Sequence, residues 1–323
     1  MRYYIGIDGG GTKTSVCAAS CAANLDDSIL RYAKTGGSSW RELGPAKVAA
    51  RLLEAVDSLV DGGHGRIAGM AMGLPCYGES SEGDRSLEQA VRGLFPETPI
   101  YFTNDVEVGW AGSMALEPGI NIVAGTGAIA FGKDIHGKTA RCGGWSEFFG
   151  DEGSCYWIGR RLMELFSKQS DGRMPKDALY EIVRGELKLD NDFNFIDLVH
   201  DEYAANRKQV ASLQLLAMKA AQAGSPSAKL LYKEAVDELL LLVNGIRLQL
   251  DFGANPWIVS YTGGLFKAEE LVLSRFGGAI EKEGGKLSPP RFEPVEGAVL
   301  LAFQKFMPEE LTQIQKIMME KKR

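Results

Sequence analysis

Histidine is scarce in this chain of 323 residues: there are three. His64, His136 and His200 show no metal-ligand spacing, which excludes a histidine-built metal centre. Cysteine is sparse as well. Cys17, Cys21, Cys76, Cys142 and Cys155 are odd in number and form no C-x-x-C pair. That pattern offers no disulfide framework and reads as reduced thiols of a cytoplasmic protein. No apolar run approaches the length of a membrane span. No n-region or h-region precedes the first apolar strand, so no secretory signal is expected. Positive charge is not in surplus: 36 Lys and Arg stand against 42 Asp and Glu, a net charge of −6. A surface built for nucleic acid or for an anionic membrane is therefore not expected. Low-complexity segments and flexible linkers are also missing. What remains is an ordinary globular composition, 45% apolar and 24% charged, with a length that predicts two domains.

The most informative stretch is Ile5-Gly6-Ile7-Asp8-Gly9-Gly10-Gly11-Thr12-Lys13-Thr14. Tyr3 to Ile7 is apolar and β-branched or aromatic, as a buried strand requires. An acid and three glycines follow. Consecutive glycines carry a large backbone entropy cost, which makes sense where the chain bends sharply and a ligand approaches its N–H groups. Asp8 at the mouth of such a turn is suited to a Mg²⁺ that accompanies a nucleotide. A P-loop is excluded because Lys13 follows Thr12 rather than glycine. A Rossmann turn is excluded because Ser15-Val16-Cys17-Ala18 reads as a second strand, not a helix. A plain glycine-rich turn is the alternative to a phosphate hairpin.

Strand and helix patterns alternate downstream, which implies a sheet with helical crossovers. Ile29–Ala33 reads as a strand, Ala46–Val60 as a helix, Ile67–Leu74 as an apolar run, Ser86–Leu94 as a helix and Pro99–Thr103 as a strand. Asn104-Asp105 then precedes a helix over Val106–Leu116, and Pro118-Gly119 marks a boundary. Ile120 to Gly132 repeats the opening design around Gly125-Thr126-Gly127. Helices are expected over Asn206–Ala223 and from Pro226 towards Phe252, and Trp257–Tyr261 is a strand leading into Thr262-Gly263-Gly264. Arg291-Phe292 is expected as a last short strand. Leu311, Ile314 and Ile317 have helical spacing, so the tail is expected to pack back on the body.

In this order, the hairpin, Asn104-Asp105, Gly125-Thr126-Gly127, Thr262-Gly263-Gly264 and Pro294…Gly297-Ala298 resemble the actin, sugar-kinase and chaperone ATPase superfamily. Within it, Cys142-Gly143-Gly144-Trp145 and Gly150-Asp151-Glu152-Gly153-Ser154 resemble the N-acetylglucosamine kinases, which are grouped with the BadF/BadG/BcrA/BcrD-type ATPases. The resemblance implies an α/β fold of two ribonuclease-H-like (actin-like ATPase) domains with a cleft between them. These would be residues 1–117 and residues 118–323, the second with a helical insertion and a C-terminal helix packing back on the first.

The resemblance also implies ATP-dependent phosphorylation of an amino-sugar hydroxyl, with ATP and Mg²⁺ as cofactors. Gly9, Gly10, Gly11, Thr12 and Lys13 would hold one part of the triphosphate and Gly125, Thr126 and Gly127 another. Gly263 and Gly264 would lie against the adenosine, and Asp8 would take the metal. Asp105 would be the general base, with a helix N-cap as its alternative role. Ser38, Ser39, Trp40, Ala128, Gly144, Trp145 and Asp151 would face the sugar. Mammalian N-acetylglucosamine kinases carry Asn-His where this chain has Ser38-Ser39, and Ser-Asn where it has Ala128-Ile129. That difference predicts a roomier, more apolar pocket that admits N-acetylmuramic acid or glucosamine. The expected partner is a small amino sugar, with no nucleic acid and no membrane, and a homodimer as one possible assembly. The second activity implied by the family is that of an ATPase activator with an iron–sulfur cluster at a dimer interface. Cys142 and Cys155 sit inside kinase-like motifs and do not look free for such a cluster.

Overall fold

The computed structural model describes residues 2–21, 29–61, 63–254 and 256–320. The chain opens with β1 (Arg2–Gly9), β2 (Lys13–Cys21), β3 (Ile29–Gly36), α1 (Trp40–Leu43), α2 (Pro45–Asp57), β4 (Ile67–Leu74), α3 (Ser81–Leu94), β5 (Ile100–Asn104) and α4 (Asp105–Met114). It continues through β6 (Gly119–Ala124), β7 (Ala128–Lys133), β8 (Thr139–Gly143), α5 (Cys155–Ser170), α6 (Ala178–Glu186), α7 (Asn194–Leu198), α8 (Arg207–Ser212), α9 (Gln214–Gln222), α10 (Pro226–Arg247), β9 (Ile258–Thr262), α11 (Ser274–Lys282) and β10 (Lys286–Ser288). It ends with α12 (Pro294–Phe306) and α13 (Leu311–Glu320). No described helix is long and apolar enough to cross a membrane.

The chain forms two compact units. One comprises Met1–Glu117 together with Pro289–Arg323, the other Pro118–Ser288. The last stretch thus belongs to the first unit, whereas the sequence pattern placed 118–323 together. The reason is α12, whose nearly all-apolar face is buried on β1 and α4.

In the first unit the strand order is β3-β2-β1-β4-β5. β1 to β3 run antiparallel as two hairpins, and β4 and β5 add in parallel. Strand alternation sends Tyr3, Ile5 and Ile7 into a core with Val48, Leu52 and Val56 of α2 and Leu87 and Val91 of α3. Gly6 faces the other way, where an added Cβ would collide with the α12 backbone at Val299 and Val295. α12 and α4 touch through Gly297 and Gly112 in the same manner. These glycines are required by close approach. They let two helices lie directly on the sheet and on each other.

The second unit repeats the plan, with strand order β10-β9-β6-β7-β8, antiparallel from β6 to β8 and parallel from β6 to β10. Ile120, Ile122 and Val259 form a core with Ile158 and Leu162 of α5, Leu239, Val243 and Ile246 of α10, and Phe276 of α11.

Several expected boundaries move. The helix expected over Asn206–Ala223 breaks at Leu213 into α8 and α9, and the long helix stops at Arg247 rather than near Phe252. Arg291-Phe292 is not a strand; the edge strand is β10, and Phe292 is a buried plug whose N–H bonds Gly112 O at 3.0 Å. After Thr262, a 3₁₀ turn (Gly264–Lys267) and a π turn (Glu269–Leu273) precede α11. Ile314 and Ile317 of α13 are buried.

Candidate active site

In parallel α/β sheets, ligand sites form beyond the carboxyl ends of the strands. In the first unit that end carries Asp8 and the Gly10–Thr12 turn after β1, Gly73 at the end of β4, and Asn104-Asp105 after β5. The turn is closed by Gly10 N–H to Lys13 O at 3.0 Å and backed by Ser38 N–H to Gly10 O at 3.0 Å. Gly9 is packed against Ser38 and Gly73 O, and Gly37 presses on the Gly11 carbonyl. Gly11 is different: an added Cβ there meets no protein atom within 4 Å, and its φ is not left-handed. The same holds for Gly125 and Gly264. At these three turn positions nothing in the protein's own packing asks for glycine. Glycine there leaves the turn backbone open to close approach, as it also does at Gly65, Gly93, Gly185 and Gly278 elsewhere in the chain.

Asp105 is the first residue of α4, but the cap is Asn104, whose side chain accepts from Val106 N–H at 3.1 Å. The N-cap role considered for Asp105 therefore belongs to its neighbour. Asp105 sits in the first turn, where the helix dipole favours its charge. Asp8 lies on the sheet face that Gly6 opens to α12. Its carboxyl is pushed up to about 7, first by burial and then by the Asp105 carboxylate; Lys13 pulls it down and Glu293 adds a smaller push upward. Glu293 went unremarked in the sequence. It caps α12 in a reciprocal box with Glu296, and the E-P-V-E spelling was a readable signal for that role. Three acids thus converge because β1, α4 and α12 are packed through glycine.

A divalent cation fits this arrangement, since it would offset the crowding that now disfavours the Asp8 carboxylate. Among the described residues no three acidic, cysteine or histidine side chains form a metal cage. Mg²⁺ held by one carboxylate, waters and phosphate oxygens needs none.

In the second unit the Gly125–Gly127 turn closes with Gly125 N–H to Gly127 O at 2.9 Å. The first N–H groups of α5 donate back to it, Cys155 N–H to Gly125 O at 2.9 Å and Tyr156 N–H to Thr126 O at 3.3 Å. Asp151, left-handed and buried, accepts from Ala128 N–H at 3.2 Å and pairs with Arg207. Burial raises its carboxyl and Arg207 opposes this. The pair packs on Gly127, where an added Cβ would reach 2.7 Å from Arg207 and 2.8 Å from Asp151. Arg207 escaped the sequence reading, having no motif around it. Gly263 is left-handed and pressed on the Ala124 backbone, so the Thr262–Gly264 turn abuts the Gly125 turn.

The expected sugar-facing residues fare unevenly. Trp145 is 68% exposed, which removes a core role, and Gly144 holds its loop with a left-handed φ of 68°. Ala128 points its methyl into the core, so it forms no pocket wall; Ile129 lies on the opposite face and touches Gly144. Ser38 and Ser39 are buried rather than opening space near Trp40. Trp40 itself is pinned against Gly83 of α3. Small residues here are filled by packing, not by a cavity. Cys17, Cys76, Cys142 and Cys155 are free thiols, and the Cys21 side chain lies outside the described residues.

A family model, the BadF/BadG/BcrA/BcrD ATPase family, matches residues 5–302. The chain belongs to this ATPase family. The N-acetylmuramic acid/N-acetylglucosamine kinase of Clostridium acetobutylicum is 30% identical over 85% of this chain and 89% of its own. The N-acetyl-D-glucosamine kinase of Dictyostelium discoideum is 28% identical over 87% of this chain and 86% of its own. The fold is shared with a candidate N-acetylglucosamine kinase from Chromobacterium violaceum, at a TM-score of 0.73 and 24% identity, covering 94% of this chain and 99% of that one. As a member of this family, the protein has the two-unit α/β fold of actin-like ATPases and uses ATP.

Proposed function

We propose that this family member transfers the γ-phosphoryl group of ATP to a hydroxyl of an N-acetylglucosamine-type amino sugar. The observation that carries the reading is the placement of Asp105. It heads α4 beside Asp8, with the capping duty taken by Asn104. Phosphoryl transfer asks for positioning and charge neutralisation. Asp105 accepts the proton of the attacking sugar hydroxyl. Asp8 would hold Mg²⁺, which would supply neutralisation of phosphate charge. The backbone of Gly10 to Lys13 and of Gly125 to Gly127 holds the triphosphate, and Gly263 and Gly264 lie against adenosine. The open glycines support this assignment, and so do kinase relatives covering most of the chain. Trp145 is available for stacking on the sugar. Asp151 acts through the Gly127 turn that it braces.

An ADP-release assay with N-acetylglucosamine, N-acetylmuramic acid, glucosamine, N-acetylmannosamine and glucose tests the proposal. Turnover with at least one amino sugar and slow ATP hydrolysis without sugar are expected. Fast hydrolysis indifferent to every sugar would overturn it.

A further inference from the structure

Arg51 of α2 stands behind the turn after β1 and has no part in the function described above. Its Nη1 donates to Gly37 O. The guanidinium lies on the backbone at the end of β3. A Cβ added to Gly36 would come within 2.9 Å of its Nη1 and 3.0 Å of its Cζ. A Cβ added to Gly37 would strike the Gly11 carbonyl. Gly36-Gly37 is thus a slab of bare backbone between the guanidinium and the turn, and contact on each side requires both glycines. Arg51 is half-buried and has no ion-pair partner among the described residues.

The hydrogen bonds run on from there. Gly37 C=O and Ser38 N–H belong to one peptide group, and that N–H donates to Gly10 O at 3.0 Å. Gly10 C=O and Gly11 N–H belong to the next. A trans peptide points its C=O and N–H in opposite directions. A bond accepted on one side is therefore passed to the donor on the other. Gly11 N–H, at the far end, has no hydrogen-bond partner among the described residues, and the space beside its Cα is open. Each bond in such a series polarises the next, by about 10 to 30%. The first donor here carries a full and permanent charge.

We infer that Arg51 is a positioning residue for the triphosphate. Through two peptide groups it fixes the Gly10-Gly11 backbone and strengthens Gly11 N–H as a donor to an anion. The inference rests on the reading that the backbone of Gly10 to Lys13 holds the triphosphate. The charge stays behind the turn, so it favours a bound phosphate without touching it.

The test compares Arg51→Gln, which keeps a neutral donor, with Arg51→Lys, which keeps the charge. Calorimetry with ATP and with adenosine separates phosphate binding from binding of the nucleoside. Arg51→Gln is expected to weaken ATP binding about three- to tenfold and to leave adenosine binding unchanged. Arg51→Lys should stay within about twofold of the wild type, since it retains the charge. Without nucleotide, the amide proton resonances of Ser38 and Gly11 should move upfield in Arg51→Gln, Ser38 the more. The amides of β4 should keep theirs, which reports that the first unit is folded. Unchanged ATP affinity in Arg51→Gln, an equal loss for adenosine, or unmoved Ser38 and Gly11 amides would each overturn the role of Arg51. Gly11→Ala separates this role from the reading beneath it. If that variant loses ATP affinity and Arg51→Gln does not, the turn holds phosphate and only the relay falls. If Gly11→Ala binds ATP as the wild type does, the phosphate assignment fails and the relay with it.

Discussion

The two units share one sheet plan and treat their first turn in opposite ways. In the first unit the turn after β1 is braced from behind by the neutral Gly37-Ser38 segment, and the charged groups gather beside it: Asp8, Asp105 and Glu293. In the second unit the turn after β6 is braced by charge, through Asp151 and Arg207, and by the first N–H groups of α5. There the ion pair of Asp151 and Arg207 packs on the turn backbone. The same strand–turn–strand design is therefore braced by neutral backbone in one copy and by a charged pair in the other. Identical topology does not imply identical chemistry; the partners of each carboxylate decide it.

The sharpest way to break this contrast is Asp105→Asn. If Asp105 is the base, turnover should fall by about 10² to 10⁴-fold with ATP affinity retained. Near-normal turnover would mean that the acids of the first unit are structural too. Asp8→Asn comes next and is read without nucleotide or Mg²⁺. The Asp8 carboxyl is raised from 3.8 to about 7. The folded state therefore holds a proton that the unfolded state has released between these values, and stability falls as pH rises across that window. Removing the acid should stabilise the fold, by at most about 4 kcal/mol at pH 8 and by less at pH 5, read as a larger rise in melting temperature at the higher pH. A gain that is flat with pH would show that Asp8 is not strained by its neighbours.

In the second unit the sign reverses. Arg207→Ala leaves the buried Asp151 without its partner and should cost about 1 to 2 kcal/mol, the value for a buried pair discounted because Arg207 is 40% exposed. Asp151→Asn should cost less than Arg207→Ala, since it keeps a hydrogen-bond acceptor for Ala128 N–H. Equal losses in chemical denaturation would mean that the charge is immaterial. The smallest stability effect is expected at Gly11. Gly11→Ala should leave stability within about 0.5 kcal/mol and still weaken ATP binding, measured by calorimetry. Unchanged affinity would make the turn merely a turn.

Much of this plan is legible in the sequence because it rests on local signals. Hairpins declare themselves through Gly9 to Gly11 and Gly125 to Gly127, and crossover helices through their apolar spacing. Asp105 was visible as an acid at a strand end, although Asn104 beside it spells a cap equally well, and only coordinates assign the cap to Asn104. What could not be read depends on distant contacts. Glu293 reaches Asp8 because Gly297 and Gly112 let two helices touch across about 180 residues of chain. Arg207 finds Asp151 from a helix with no motif. Ser38 looked small enough to leave room, but smallness at that position serves contact with Gly9. Composition gives volume, and burial decides whether that volume is empty.

The return of the chain to the first unit has a consequence for its biosynthesis. Residues 118–288 are continuous and emerge from the ribosome as a complete folding unit. The first unit begins earlier but lacks α12 until the second unit has been made. Until then one face of β1, with Gly6 at its centre, has nothing to lie against. Of the two units, the one begun first is therefore finished second. Glu293, delivered with α12, completes the acidic surroundings of Asp8 only after the second unit has been synthesised.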